Sequence, residues 1–143
     1  MADARTEKIK VWGIDSKGQN YEFMIGGRSC HLIFTNKGYL RGEDSHPVAS
    51  FTLMISGSGR WTIRNGKGKN QTLVQRKNEK VILPANKIHR FEALEDSVMI
   101  EWLDREGPFD AYYDKKLRAA LALANEKLTE KLGKRRQPNP RAR

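Results

Sequence analysis

The sequence has a single cysteine, Cys30, in 143 residues, which excludes an internal disulfide and any cysteine-based zinc cluster. Cys30 reads instead as a small buried hydrophobe. Long hydrophobic runs are also lacking: stretches such as Val98 to Ile100 are a few residues long, far short of the roughly 20 a membrane-spanning helix needs. Met1 to Lys10 is polar and charged, with neither the apolar stretch of a secretory signal nor a lipidation site. The expectation is a soluble, cytoplasmic protein with no membrane partner. No repeat recurs at a fixed period. The chain does have a 38% hydrophobic fraction with three Trp, five Phe and four Tyr, enough for one compact domain with a moderate core.

Positive charge is in excess, at +10, but it is unevenly placed. Lys134, Arg135, Arg136, Arg141 and Arg143 contribute half of it within the last ten residues, where no acid occurs. That stretch, with Pro138 and Pro140 and no apolar periodicity, reads as a basic disordered tail spanning 134–143. A solvated tail is the favoured reading, and contact with nucleic-acid phosphates or acidic surfaces the other. A second basic cluster, from Arg64 to Lys80, has no aromatic residue between its cations, so it offers no base-stacking platform.

From Lys8 to about Asp104, short β-rich runs alternate with Gly, Asn, Asp and Pro, the pattern of an all-β sandwich or barrel. Candidate strands are Ile9 to Ile14, Tyr21 to Ile25, Ser29 to Thr35, Ala49 to Ser56, Arg60 to Arg64, Gln71 to Gln75, Lys80 to Leu83, Arg90 to Leu94 and Val98 to Leu103. Asn65-Gly66 is a hairpin signal. After Gly107-Pro108 the period changes, with Leu117, Leu121, Ala124, Leu128 and Leu132 at steps of three and four. This predicts an amphipathic helix over Ala111 to Leu132, with Asp110 as N-cap, Asp114 in the first turn and Gly133 just past the end. Its apolar stripe suits packing on the same chain, or a homodimer seam. The division expected is a β-barrel over 1–107, the helix within 108–133 and the tail.

Two spaced motifs carry more information. Gly38, Asp44, His46, Ser50 and Gly57 stand at the intervals of G-x5-H-x-H-x3-E-x6-G, and Asn78, Pro84, Asn86, His89 and Ala93 at those of G-x5-P-x-G-x2-H-x3-N. In this the stretch from Arg28 to Leu103 resembles the cupins. The fold implied is mainly β, a double-stranded β-helix barrel of jelly-roll type with a C-terminal α-helix. Both glycines of the second motif are Asn here, the residue that best replaces glycine where the backbone turns left-handed.

The resemblance also implies a site. Cupins place divalent-metal ligands at the positions held here by Asp44, His46, Ser50 and His89. Asp44 keeps an anionic oxygen, whereas Ser50 offers a weak hydroxyl. Two imidazoles and one carboxylate remain, a set that suits Fe(II), Mn, Ni or Zn. The other reading is a metal-free pocket in which His46 and His89 act as proton donor and acceptor. Residues two apart on a strand share a face. If Ser50 and His89 point inward, Thr52, Met54, Phe91 and Ala93 line the same pocket, while Phe51, Leu53 and Ile55 face away. Trp61 and Trp102 read as core, and His31, outside both motifs, as structural.

Three functions follow as expectations. The first is a barrel that binds a small polar or carbohydrate-like molecule, with general acid and base chemistry of isomerase type at His46 and His89; Arg41 to His46 is similar to a stretch of cupin sugar-nucleotide isomerases. The second is a metal-dependent oxygenase or isomerase built on Asp44, His46 and His89; Leu83 to His89 resembles part of the Fe(II) ring-cleaving cupins. The third is an interaction module that works through the helix or the basic tail.

Overall fold

The punctuation by Gly, Asn and Pro separates eleven strands and one helix among the described residues, 3–136 of a computed structural model. The strands are β1 (Lys10–Asp15), β2 (Gly18–Ile25), β3 (Arg28–Thr35), β4 (Leu40–Ser45), β5 (Ser50–Ser56), β6 (Gly59–Ile63), β7 (Gln71–Gln75), β8 (Lys80–Leu83), β9 (His89–Ala93), β10 (Ser97–Leu103) and β11 (Tyr112–Tyr113); helix α1 is Lys115–Arg136. The named strands pair antiparallel, in a six-stranded sheet β1-β2-β3-β10-β5-β8 and a five-stranded sheet β11-β4-β9-β6-β7.

Alternation builds the core. Ser50, Thr52 and Met54 are buried along β5, His89, Phe91 and Ala93 along β9, and Ser97, Met99, Glu101 and Leu103 along β10. The inner faces meet in one apolar cluster that includes Met54, Trp61, Leu83, Phe91 and Met99. Gln75, fully buried, locks β7 to β5: its amide donates to the carbonyls of Thr52 and Glu79, and its oxygen accepts from the Thr52 hydroxyl and the Trp61 indole. Cys30 is buried as expected. Trp61 belongs to the core, but Trp102 does not. With Glu101 and Leu103 turned inward, the pleat sends Trp102 to the outer face, where it packs on Phe51 with ring centroids 5.6 Å apart.

Both turn asparagines behave as the motif comparison predicts, Asn78 at φ 70° and Asn86 at φ 61°. Two strands were not legible. Leu40–Ser45 reads as polar and turn-like, yet it forms β4 because its groups are satisfied inside the sheet, Glu43 by Arg64 at 2.8 and 2.5 Å. Tyr112–Tyr113 falls inside the expected helix but pairs with Ser45 and Asp44 as β11.

That pairing moves the helix start. Asp114, not Asp110, is the cap: its Oδ1 accepts from the Leu117 N–H at 2.9 Å. Nor does Gly133 end the helix, which continues to Arg136; an exposed glycine inside a helix costs only about 1 kcal/mol. The helix lies on its own barrel. Leu121 is buried, Leu117, Asn125, Leu128 and Leu132 are half-buried, and Ala124 is turned outward. Asn125 copies a β-strand partner, with its Oδ1 accepting from the Leu40 N–H and its Nδ2 donating to the Leu40 carbonyl, each at 2.9 Å. The first three residues of the expected tail, 134–136, thus continue α1, and its remainder, 137–143, lies outside the described residues. No described helix is long and apolar enough to cross a membrane.

Candidate metal centre

Gly42 starts the local geometry. At φ +99° it occupies backbone space closed to other residues, and a Cβ there would stand 2.7 Å from the His89 carbonyl oxygen. It allows β4 to press against β9 where the register slips: Gly42 faces Arg90, Asp44 faces His89, and Glu43 is the extra residue. Glu43 takes φ 60°, a cost of about 1–2 kcal/mol for a side-chain-bearing residue that its ion pair with half-buried Arg64 offsets. The bulge sets Asp44 beside His89, and His46 follows just past the strand end.

Asp44, His46 and His89 converge, each offering one ligand atom within 4.8 Å of the others. Asp44 Oδ2 lies 3.6 Å from His46 Nε2, Asp44 Oδ1 lies 3.5 Å from His89 Nε2, and the imidazole centroids are 5.2 Å apart. All three are buried. The other ring nitrogens are committed: His46 Nδ1 lies 2.7 Å from the Asp110 carbonyl and His89 Nδ1 lies 3.3 Å from the Lys87 carbonyl. A carbonyl only accepts, so each Nδ1 carries the proton and each Nε2 presents a lone pair. His46 Nε2 has no hydrogen-bond partner among the described residues.

Burial pushes both imidazoles below the usual histidine range, against the opposing pull of the Asp110 carbonyl on His46 and of Asp44 on His89. It pushes the Asp44 carboxyl up, and His89 pulls it back. Neutral imidazoles facing a carboxylate bring three acceptors together, an arrangement that calls for a cation or a shared proton between them. A divalent cation fits: ligands about 2.1 Å from a tetrahedral ion stand about 3.4 Å from one another.

The cluster opens on a cavity of about 970 Å³ between the inner sheet faces and α1. Of the expected pocket residues, Phe91 lines it together with Asp44 and His89. Ser50, Thr52 and Met54 share the inward face but lie behind the cavity wall, Met54 in the apolar core and Thr52 hydrogen-bonded to Gln75. Ser50 Oγ is buried without a hydrogen-bond partner.

Sequence reasoning missed several wall residues, of which Glu101 and His31 carry titratable groups close to the centre. Glu101, whose carboxylate Oε2 lies 4.0 Å from His46 Nε2, is buried enough that its carboxyl is pushed up to about 8, with Asp44 adding to the effect. An acid on the inward period of the apolar run Val98 to Leu103 was the available signal. His31 stands opposite Glu101 across β3 and β10, on the cavity wall. Its Nδ1 lies 2.9 Å from Asn20 Oδ1, and its Nε2 is buried without a partner. Phe109 seals the space between His31 and His46, with centroids 4.2 and 4.9 Å away.

No protein-family model matches the sequence, and no curated protein matches it. Solved structures do match in shape. The capsular polysaccharide assembling protein CapF from Staphylococcus aureus superposes with a TM-score of 0.63 at 21% identity, over 76% of this chain and 34% of its own. Bacillus subtilis oxalate decarboxylase, in a study of its Mn(II) centres, gives 0.63 at 20% identity, over 85% of this chain and 37% of its own. The chain therefore spans little more than a third of these proteins. They are cupin-fold proteins, and the two facing antiparallel sheets of this chain superpose on them: this chain has the cupin fold.

Proposed function

We propose that the protein is a metal-dependent cupin that acts on a small polar molecule admitted to the cavity under α1. The observation that carries the reading is the convergence of three buried acceptors, the Nε2 atoms of His46 and His89 and the carboxylate of Asp44. These residues would hold Fe, Mn, Ni or Zn. A bound cation would polarise an oxygen of the substrate or activate a coordinated water. The Mn(II) centres named for the similarly folded oxalate decarboxylase add support from another protein.

The chain's own groups do the rest. The Asp110 and Lys87 carbonyls fix the imidazole tautomers, as outer partners of metal-bound histidines do. The floor is apolar at Ile33, Phe91 and Met99, while Arg41, Asp44 and Arg118 bring both signs of charge to the same walls. Such lining suits a hydroxylated or carboxylated molecule, including a carbohydrate-like one. A second reading is favoured by one observation, the Asp44 carboxyl raised by burial: here Asp44, His46 and His89 pass a proton on the same ligand without a cation.

Elemental analysis of protein purified without a histidine tag separates the two. The metal-dependent reading expects close to one divalent ion per chain and its loss in His89→Ala. Metal-free protein that also fails to bind added Mn(II), Fe(II), Ni(II) or Zn(II) would leave the proton-transfer reading.

A further inference from the structure

Glu101 stands out as a buried carboxyl group with no cationic side chain beside it among the described residues. It occupies β10, the strand between β3 and β5, opposite His31 on one side and Thr52 on the other. The pleat points it inward with Met99 and Leu103. It is 9% exposed, and that remnant opens on the cavity. No Lys or Arg among the described residues comes within ion-pair distance of it; its neighbour in that range is His46, at 4.0 Å. That neighbour presents an unpartnered Nε2 lone pair toward Glu101. A carboxyl group placed beside a second acceptor in a dry site needs a proton or a cation between them.

We propose that Glu101 is the fourth protein ligand of the metal centre, closing the set Asp44, His46, His89 from the opposite sheet. The inference rests on the metal-dependent reading and deepens it. Asp44, His46 and His89 belong to the β4 and β9 side, so a three-residue site would be held by one sheet alone. Glu101 ties the cation to both. It also supplies the carboxylate that position 50 lacks: Ser50 pairs opposite Leu103 and Thr52 opposite Glu101, so the acid stands one inward step away on the adjoining strand. Two carboxylates and two imidazoles neutralise a divalent ion fully, whereas Asp44 alone leaves one positive charge in a buried site. An oxygen-rich set of this kind suits Mn(II) or Fe(II) over the softer-ligand metals.

The test is titration of metal-depleted, full-length protein with Mn(II), followed by calorimetry and by the electron paramagnetic resonance of the bound ion. Glu101→Gln keeps the shape of the side chain and should weaken Mn(II) binding at least about tenfold. Glu101→His, which restores a ligating atom, should bind more tightly than Glu101→Gln, and its bound Mn(II) should give a spectrum unlike that of the wild type. Wild-type affinity in Glu101→Gln, with binding lost in His89→Ala, would overturn the proposal and leave the three-residue centre standing. Weakened binding that Glu101→His does not recover, with a lower melting temperature of the metal-free variants, would make Glu101 structural and overturn it too. No divalent metal bound by the wild type would overturn the underlying reading itself.

Discussion

At the scale of single residues, the cavity wall holds titratable groups whose buried states have opposite preferences, and pH separates them. Burial pushes His31 down to about 4, below the value near 6.5 of an unfolded histidine, so between those values the unfolded chain takes up the proton first. The stability His31 contributes is complete above about pH 6.5 and is lost as pH falls toward 4, by about 3 kcal/mol in all. Glu101 runs the other way. Its carboxyl, pushed up to about 8, contributes stability that is full below the unfolded carboxylate range near 4.5 and declines as pH rises through about 8. The two slopes oppose each other between pH 4.5 and 6.5, so a wild-type profile alone hides both. The difference in urea stability between wild type and His31→Asn, measured on metal-free protein, isolates the first. It should shift against the wild type by about 2 kcal/mol from pH 7 to pH 5. A difference that stays constant over that range would mean the His31 imidazole is not held neutral.

At the scale of elements, α1 shows what its sequence could and could not predict. The leucine period identified a helix but left its partner open, and the structure sets Leu121 against the chain's own barrel with Asn125 bonded to Leu40. Leu121→Glu should therefore destabilise the protein by at least about 2 kcal/mol with no change in mass by light scattering. A halved mass would place the seam between two subunits. The strands tell a similar story. Those with alternating apolar residues, such as β5 and β10, were legible because burial of one face is written in the sequence. Leu40–Ser45 was not, since its inward groups are polar and are matched by partners distant in sequence, Arg64 for Glu43 and His89 for Asp44. Likewise the motif spacing pointed to Asp44, His46 and His89, whereas Glu101 sits outside both motifs and meets His46 only because the two sheets face each other. Tyr112 and Tyr113 carry helix-compatible neighbours, and only the open edge of β4 decides that they extend.

On the scale of the whole molecule, two layers of different character enclose the site. The apolar cluster is drawn entirely from strands, among them Ile33, Met54, Trp61, Phe91 and Met99, and contains no residue of α1. The helix is attached by polar contacts at its length and one buried leucine: Arg118 donates to the Gly42 carbonyl at 3.0 Å, Asn125 holds Leu40, and the Thr129 and Tyr39 hydroxyls meet at 2.9 Å. Several of these groups, Arg118, Leu121, Asn125 and Thr129, also line the cavity. Detaching the helix would open the cavity without dismantling the apolar core, so it belongs to the low-stability end of the structure while the barrel defines global unfolding. Hydrogen exchange of the full chain reads this ordering directly. Amides of β3, β5 and β10, the interior of the six-stranded sheet, should exchange last, and those of α1 at least about tenfold faster, through an opening that costs less than unfolding the barrel. A ligand held in the cavity bridges both layers, so saturation with it should slow α1 selectively. Amides of α1 as protected as those of β10 would instead make the helix part of the cooperative core, and access to the centre would then need a route through the strand loops.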